Sequence, residues 1–227
     1  MQIFADFAGY SLIALGLAEL FGYRLPENFR FPYISRSFSE FWTRWHISLS
    51  TWLKEYLYVP LGGNRKGRWR TYLNLFVVMI LGGLWHGAAW SYAVWGAFHG
   101  VALAVEKLLR ADRPSAEELW AIQWLRMACV FSAVTLGWLL FKLPHFEDVL
   151  LYFKAIGHNL HFQKNRATLL LVPLYALPVI AYHLYHVYTA RRSDSGLFRW
   201  HFVFYGIMLF LLIVGSGGSG DFIYFQF

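Results

Sequence analysis

The sequence of residues 74–100, NLFVVMILGGLWHGAAWSYAVWGAFHG, determines the predicted fold. A membrane-spanning helix needs about 20 mostly apolar residues, and two such helices fit here in succession, over 72–90 and 91–109. Ionisable side chains are costly at this depth and usually face a protein interior or a water-filled cavity. The stretch nevertheless contains His86 and His99, so both are candidates for function as well as for packing.

The composition also places the chain among membrane proteins. Of its 227 residues, 58% are hydrophobic and 15% are charged, whereas soluble domains carry about 25% charged residues. The net charge of +7 comes mainly from basic residues in short loops. That distribution is typical of membrane topology and lipid headgroup contact rather than of nucleic-acid binding. Cys129 is the single cysteine, which excludes an intrachain disulfide.

Further apolar segments predict an all-α fold, a polytopic transmembrane helical bundle that forms one unit over 1–227. Pro173 and Pro178 should kink the fifth span, because each removes a backbone hydrogen-bond donor. By alternation of the spans, the segment 144–168 is predicted to face outward. The predicted spans are about 1–21, 72–90, 91–109, 122–143, 169–188 and 200–214.

One segment, 37–57, is too polar for an ordinary span and too aromatic for a loop. At helical spacing it has a broad apolar face and a polar margin, so we predict an aromatic helix that lies in the membrane interface or re-enters the membrane. Such a helix must pack against protein, because lipid cannot satisfy its polar groups. The apolar face comprises Phe38, Phe41, Trp42, Trp45, Leu49, Trp52, Leu53 and Tyr56, and the margin comprises Ser39, Thr43, His46, Ser50 and Lys54.

Basic residues predict the orientation of the bundle. Arg65, Lys66, Arg68 and Arg70 share one short loop, and the positive-inside rule places that loop in the cytoplasm. By alternation, His86 then lies toward the outer end of its helix. The loop could attract an anionic donor, but topology alone explains its charge.

Small residues surround His86. Gly83 and Gly87 form a small-xxx-small pattern, which lets another helix approach closely. This explains the glycines and leaves the histidine unexplained. Because burial disfavours a charged imidazole, His86 should be neutral and able to take a proton from a hydroxyl as a general base.

The other histidines have different settings. His46 lies on the margin lined by serine and threonine. His183 and His186 lie beside tyrosines at the end of a span, where a membrane-interface belt is the favoured interpretation. Their spacing could hold a metal, as could that of His158 and His161, but no cysteine or carboxylate supports either pair. No metal site is predicted.

Two motifs, RWHISLSTWL at 44–53 and GGLWHG at 82–87, resemble the membrane-bound O-acyltransferase family. The similarity is dense from Phe4 to His99, and FIYFQF at 222–227 adds to it. The branch it resembles contains bacterial proteins similar to the alginate O-acetylation membrane protein, whose relatives acetylate other surface polymers. The motifs are long and unusual, so the resemblance is specific.

The resemblance implies the candidate site. His86 matches the essential histidine of the family and His46 its second active-site histidine. His86 would deprotonate or orient the acceptor, while His46 would polarise or position the donor carbonyl. Possible site-lining residues are His99, Trp45, Ser50, Trp85, Gly83 and Gly87, and possible donor-attracting residues are Arg65, Lys66 and Arg68.

The implied function is membrane O-acyl transfer. An acyl group, with acetyl expected, would pass from a cytoplasmic thioester to an extracytoplasmic hydroxyl. The donor would be acetyl-CoA or an acyl-carrier protein, with no cofactor bound. The acceptor would be a polysaccharide or a periplasmic acetyltransferase partner. The expected location is the bacterial cytoplasmic (inner) membrane, as a multi-pass protein.

Two departures from the family pattern leave alternatives open. Leu12 stands where an aspartate is frequent. The chain also resembles only the carboxy-terminal half of such proteins, so a missing amino-terminal half is expected as a partner. The alternatives are a catalytically inactive membrane fragment and a transporter or channel subunit with a histidine proton relay.

Overall fold

The computed structural model describes residues 1–109, 118–143, 145–158 and 166–189, with the backbone alone over 166–170. Its regular secondary structure is helical throughout these ranges, which confirms the predicted all-α fold class. The α-helices are α1 (Gln2–Leu20), α2 (Phe38–Arg44), α3 (Ile47–Leu53), α4 (Arg68–Trp85), α5 (Trp90–Leu108), α6 (Trp120–Lys142), α7 (Phe146–His158) and α8 (Arg166–Thr189).

Two of the described helices, α1 and α6, are long and apolar enough to cross a membrane, with mean hydropathies of 1.5 and 1.6. The predicted spans over 72–90, 91–109 and 169–188 are helical, as α4, α5 and α8. That these three cross the membrane stays a prediction. Both prolines of α8 lie inside one continuous helix, and the predicted span over 200–214 lies outside the described residues.

Helices α4 and α5 form a tight hairpin whose contact surface is made of glycine. A Cβ atom added at Gly83 would lie 2.2 Å from the carbonyl oxygen of Tyr92, and one at Gly96 would lie 2.2 Å from that of Met79. Only glycine permits this backbone approach. The close approach predicted at Gly83 is confirmed, and its partner is α5. Gly87 lies beyond the end of α4, beneath the Tyr92 ring.

The aromatic segment is not the single helix predicted over 37–57. It divides into α2 and α3, and a π-helical turn follows at Lys54–Tyr58. The break falls at His46, which adopts the left-handed conformation with φ 44° and ψ 55°. The preceding loop holds the break, because Ile47 donates its backbone N–H to the carbonyl oxygen of Asn28 over 3.0 Å. An unbroken helix would keep that N–H inside its own ladder.

The first half of the segment, α2, runs along the α4–α5 hairpin toward His86, and the second half, from α3 to Gly63, runs back. At the start of α2, the backbone N–H of Phe38 donates to the Glu106 carboxylate near the end of α5. His46 then reaches the end of α4. On the return, Asn74 in the first half of α4 donates its side-chain amide to the Gly63 carbonyl over 2.9 Å. The segment therefore enters and leaves at one end of the hairpin, the path expected of a re-entrant element.

The break also changes which aromatic side chains are covered. Phe41, Trp45 and Leu53 are buried as the predicted apolar face requires, whereas Trp52 is 52% exposed and Tyr56 is 66% exposed. A continuous helix would have placed all five on one face. The interruption therefore explains why only part of that face is buried.

The segment 144–168, which lies outside the predicted spans, contains helix α7. Phe146–His158 is helical, with Glu147 and Asp148 in its first turn. Acidic residues stabilise this end of a helix because of its partial positive charge. Val149 is the buried anchor of the helix.

Candidate active site

The structure brings His46 and His86 together from separate parts of the chain. Their ring centroids lie 6.3 Å apart, with the planes inclined at 58°. His46 occupies the junction of α2 and α3, and His86 caps the end of α4. Each residue is 8% exposed. The pair therefore consists of two largely buried imidazoles that are close neighbours.

Four helices supply an aromatic wall around this histidine pair. The wall limits water and holds both rings by edge-to-face contacts, the preferred geometry of aromatic pairs. The contacts are Phe7 to His46 at 4.7 Å, Phe141 to His86 at 5.0 Å, Trp85 to His86 at 5.0 Å and Trp95 to His86 at 5.7 Å, all between ring centroids. The sequence predicted Trp85 as a lining residue and missed the other three, since an aromatic residue in an apolar helix gives no separate signal.

Burial sets the protonation state of His46. Desolvation lowers its pKa to about 4. The ordinary histidine pKa is about 6.5. His46 is therefore neutral at physiological pH, the form that can accept a proton.

A short chain of hydrogen bonds reaches His46 from the loop before α2. The Ser48 hydroxyl lies 3.5 Å from Nδ1 of His46 and donates to Oδ1 of Asn28 over 2.6 Å. The Asn28 side-chain amide donates in turn to the Ser11 hydroxyl over 3.4 Å. Neither Asn28 nor Ser48 is predicted from the sequence, because neither belongs to a periodic pattern.

Ser50, the predicted polar neighbour of His46, has a different role. Its hydroxyl donates to the backbone carbonyl of Trp45 over 3.1 Å. In a continuous helix Ser50 would follow His46 by one turn and share its face. Because the chain breaks at His46, Ser48 takes that place instead.

His99 lies deeper in the bundle than the histidine pair. It is fully buried, and neither ring nitrogen has a hydrogen-bond partner within the described part of the chain. Trp95 connects it to the site, since the Trp95 ring contacts His99 at 4.9 Å and His86 at 5.7 Å. His99 therefore lies behind Trp95, one layer of side chains away from the histidine pair.

Trp45, another predicted lining residue, packs into the hydrophobic core. Its ring stacks on Phe41 at 5.5 Å and meets Trp138 at 4.8 Å. Trp45 is 3% exposed. Trp45 thus anchors the residue before the backbone break in the core. The predicted glycines Gly83 and Gly87 make room for Tyr92 instead of lining the site.

The prediction that His183 belongs to a membrane-interface belt is wrong. The side chain is 4% exposed, and its ring packs against Phe4 and Tyr33 at 5.3 Å each. Its Nδ1 lies 2.7 Å from the carbonyl oxygen of Val179. The pattern of a histidine beside tyrosines cannot distinguish a headgroup belt from an internal aromatic cluster. His186 stacks on Phe31 at 3.7 Å.

The predicted donor-attracting residues Arg65, Lys66 and Arg68 are exposed, the first two in the turn before α4 and Arg68 at the first position of that helix. His86 lies at the other end of α4, which is about 27 Å away for 18 residues at 1.5 Å each. The loop is therefore too far from the histidine pair to touch reacting atoms there. Its part in attracting a donor stays a prediction. In the described ranges, no three metal-ligating side chains cluster for an ion.

Comparison with known proteins places this site in a family context. The model of the membrane-bound O-acyltransferase family, MBOAT, matches residues 1–146, which include both histidines and all four residues of the aromatic wall. A probable alginate O-acetylase, AlgI, of Azotobacter vinelandii is 43% identical over 194 residues, covering 84% of this chain and 38% of that protein. A peptidoglycan O-acetyltransferase of Helicobacter pylori is 41% identical over 161 residues, covering 70% of this chain and 30% of that protein.

A further relative is a teichoic acid D-alanyltransferase of Streptococcus thermophilus. It is 36% identical over 161 residues, covering 62% of this chain and 39% of that protein. The chain thus spans well under half the length of each of these relatives.

Proposed function

The chain belongs to the membrane-bound O-acyltransferase family, and from that premise we propose that its histidine pair serves the transfer of an acyl group to a hydroxyl. The observation that carries the proposal is the placement of two imidazoles, 6.3 Å between centroids, in one aromatic wall. Acyl transfer to a hydroxyl requires a group that takes the hydroxyl proton as the new ester bond forms. A neutral imidazole suits that task at physiological pH.

The proposed donor is a thioester on the cytoplasmic side, such as acetyl-CoA or an acyl-carrier protein. The acceptor is a hydroxyl on an extracytoplasmic polysaccharide or on a partner enzyme that completes the transfer. Two relatives named for acetyl transfer, to alginate and to peptidoglycan, favour acetyl as the group and a polymer as the final acceptor. The proposed location is a bacterial cytoplasmic membrane, which the protein crosses several times.

The proposed chemistry balances without a cofactor. The acceptor hydroxyl loses its proton to an imidazole, and its oxygen attacks the thioester carbonyl. The carbon–sulfur bond then breaks, the thiolate leaves, and the imidazolium supplies the proton that makes it a thiol. The aromatic wall supports this reaction because it limits access of water, which would otherwise compete as acceptor.

Cells with and without the gene test the proposal. Membranes from cells that express the full gene product receive acetyl-CoA labelled in the acetyl group, and the surface polymer is then isolated. We expect label that mild alkali releases, as an ester requires, and no such label in membranes from cells in which the gene is deleted. Equal alkali-labile label in the two preparations would contradict the proposed function.

A further inference from the structure

We infer that Asn28 and Ser48 are positioning residues that hold His46 as the tautomer with its proton on Nδ1 and its lone pair on Nε2. The inference rests on the proposed function for its catalytic meaning. The tautomer itself follows from the hydrogen-bonding capacity of the atoms around Nδ1.

The neighbours of the Asn28 side chain determine the orientation of its amide. The backbone N–H of Ser48 lies 3.3 Å from Oδ1 of Asn28. A backbone N–H can only donate, so the atom facing it must be the amide oxygen. The amide nitrogen then faces Ser11, whose hydroxyl can accept. If the amide were flipped, its NH₂ group would face the backbone N–H of Ser48, and two donors cannot form a hydrogen bond. The flipped orientation is therefore excluded.

The Ser48 hydroxyl has a single proton to donate. An amide oxygen is only an acceptor, so this proton points at Oδ1 of Asn28, 2.6 Å away. Toward His46 the Ser48 oxygen has only lone pairs left. The imidazole can meet it at 3.5 Å only by donating from Nδ1.

Asn28 is itself fixed relative to the backbone that follows His46. The carbonyl of Asn28 accepts from the backbone of Ile47 over 3.0 Å, and its side chain bonds the serine next to it. Asn28 thus fixes the two residues that follow the left-handed His46, Ile47 and Ser48, by hydrogen bonds. A neighbouring isolated bridge joins Phe29 to Trp45. The residues that set the tautomer are therefore held on both sides of the break.

This tautomer limits what neutral His46 can do. Polarising a thioester carbonyl needs an N–H donor, and the one N–H of neutral His46 is engaged at Nδ1. The bare Nε2 instead accepts a hydrogen bond or a proton. The substrate group that His46 meets is therefore the acceptor hydroxyl, which differs from the role at the donor carbonyl predicted from the sequence.

Nitrogen NMR of histidine tests the tautomer directly. The full gene product is purified with ¹⁵N-labelled histidine, and the His46 signals are assigned by their loss in His46→Gln. A protonated Nδ1 and a bare Nε2 give separate chemical shifts. We expect that pattern in the wild type, in Ser48→Thr, which keeps the hydroxyl, and in Thr51→Ala, an exposed control on α3. Ser48→Ala should give a mixture of the two tautomers.

Asn28→Asp provides a second variant that keeps the oxygen acceptor for Ser48. Its added negative charge near His46 favours the imidazolium. The titration of His46 should therefore move to higher pH in this variant, while Nδ1 stays protonated. An unmoved titration would contradict the proposed connection between residue 28 and the imidazole.

Kinetics separate this inference from the proposed function. We expect Ser48→Ala to lower kcat about tenfold, the effect of losing one hydrogen bond, with KM little changed and Ser48→Thr close to wild type. If Ser48→Ala keeps the pure Nδ1–H pattern, the inference is overturned, whatever its activity. If the tautomer changes as expected while the wild-type protein forms no ester, the proposed function fails and the tautomer assignment stands.

Discussion

His46 occupies a backbone conformation that side chains other than glycine rarely adopt. A left-handed residue costs about 1–2 kcal/mol, and strain of this kind persists where neighbouring contacts determine the backbone. Here the contacts come from the loop at Asn28 and from the aromatic core beneath Trp45. The result is an imidazole that faces His86 instead of continuing the line of a helix.

The buried neutral state of His46 predicts a pH dependence of stability. Its pKa is about 4 in the folded protein and about 6.5 when exposed. Between these values the unfolded chain binds a proton that the folded one does not, so stability should fall as the pH falls from 6.5 to 4. Thermal unfolding in detergent at pH 7 and pH 5 should show a larger loss for the wild type than for His46→Gln. Equal losses in the two proteins would mean that His46 is not buried and neutral.

At the scale of single residues, the sequence predicts which side chains are candidates for catalysis better than it predicts their hydrogen-bond partners. His86 and His46 stand out because an imidazole is unusual in an aromatic, apolar setting. Asn28 does not, because a single asparagine in a loop carries no pattern, and its partner Ser48 becomes visible only once the break at His46 is known. His183 shows the reverse error, since its tyrosine neighbours in the sequence resemble an interface belt, although its ring packs on Tyr182 inside an aromatic cluster.

Among the elements, the α4–α5 hairpin fixes the position of His86 at one end and of Glu106 at the other. The Glu106 carboxylate accepts from the backbone N–H groups of Phe38 and Ser39, which otherwise have no partner at the start of a helix. This contact anchors α2 against α5. The distance between the two histidines therefore depends on how closely α4 and α5 pack.

Replacing Gly96 tests that dependence. A Cβ at this position would lie 2.2 Å from the Met79 carbonyl oxygen, so the hairpin must open. We expect Gly96→Ala to lower stability by about 1–3 kcal/mol, the usual cost of overpacking, and to reduce activity. Gly16→Ala in α1 is the matched control, because nothing lies within 4 Å of its added Cβ. Thermal unfolding of both variants in detergent decides the matter, and equal midpoints would argue against the tight hairpin.

Helices and their order follow from hydropathy, as α1, α4, α5, α6 and α8 show. The break between α2 and α3 does not, because RWHISL contains neither proline nor glycine, the usual helix-breaking signals. It depends on contacts with a loop distant in sequence. Helix α7 was missed for a related reason, since its polar residues obscured its apolar stripe.

For the whole molecule, the account predicts which side of the membrane each end of the hairpin faces. In a Cys129→Ser background, single cysteines replace Asn64 in the basic turn and Ala88 beside His86, both exposed positions. A membrane-impermeant thiol reagent added to spheroplasts should label Ala88→Cys and leave Asn64→Cys unlabelled until the membrane is opened. The positive-inside rule supplies the physical reason. The opposite labelling pattern would invert the proposed topology.

The most direct test of the central claim, that acyl transfer takes place at the histidine pair, is the rate of ester formation in His86→Ala. The variant is made in the full gene product, and its level in the membrane is matched to that of His158→Ala, an exposed histidine at the end of α7. Loss of a general base costs about 10²–10⁴ in rate. We predict a loss of that size in His86→Ala and a wild-type rate in His158→Ala. A wild-type rate of ester formation in His86→Ala would contradict the account.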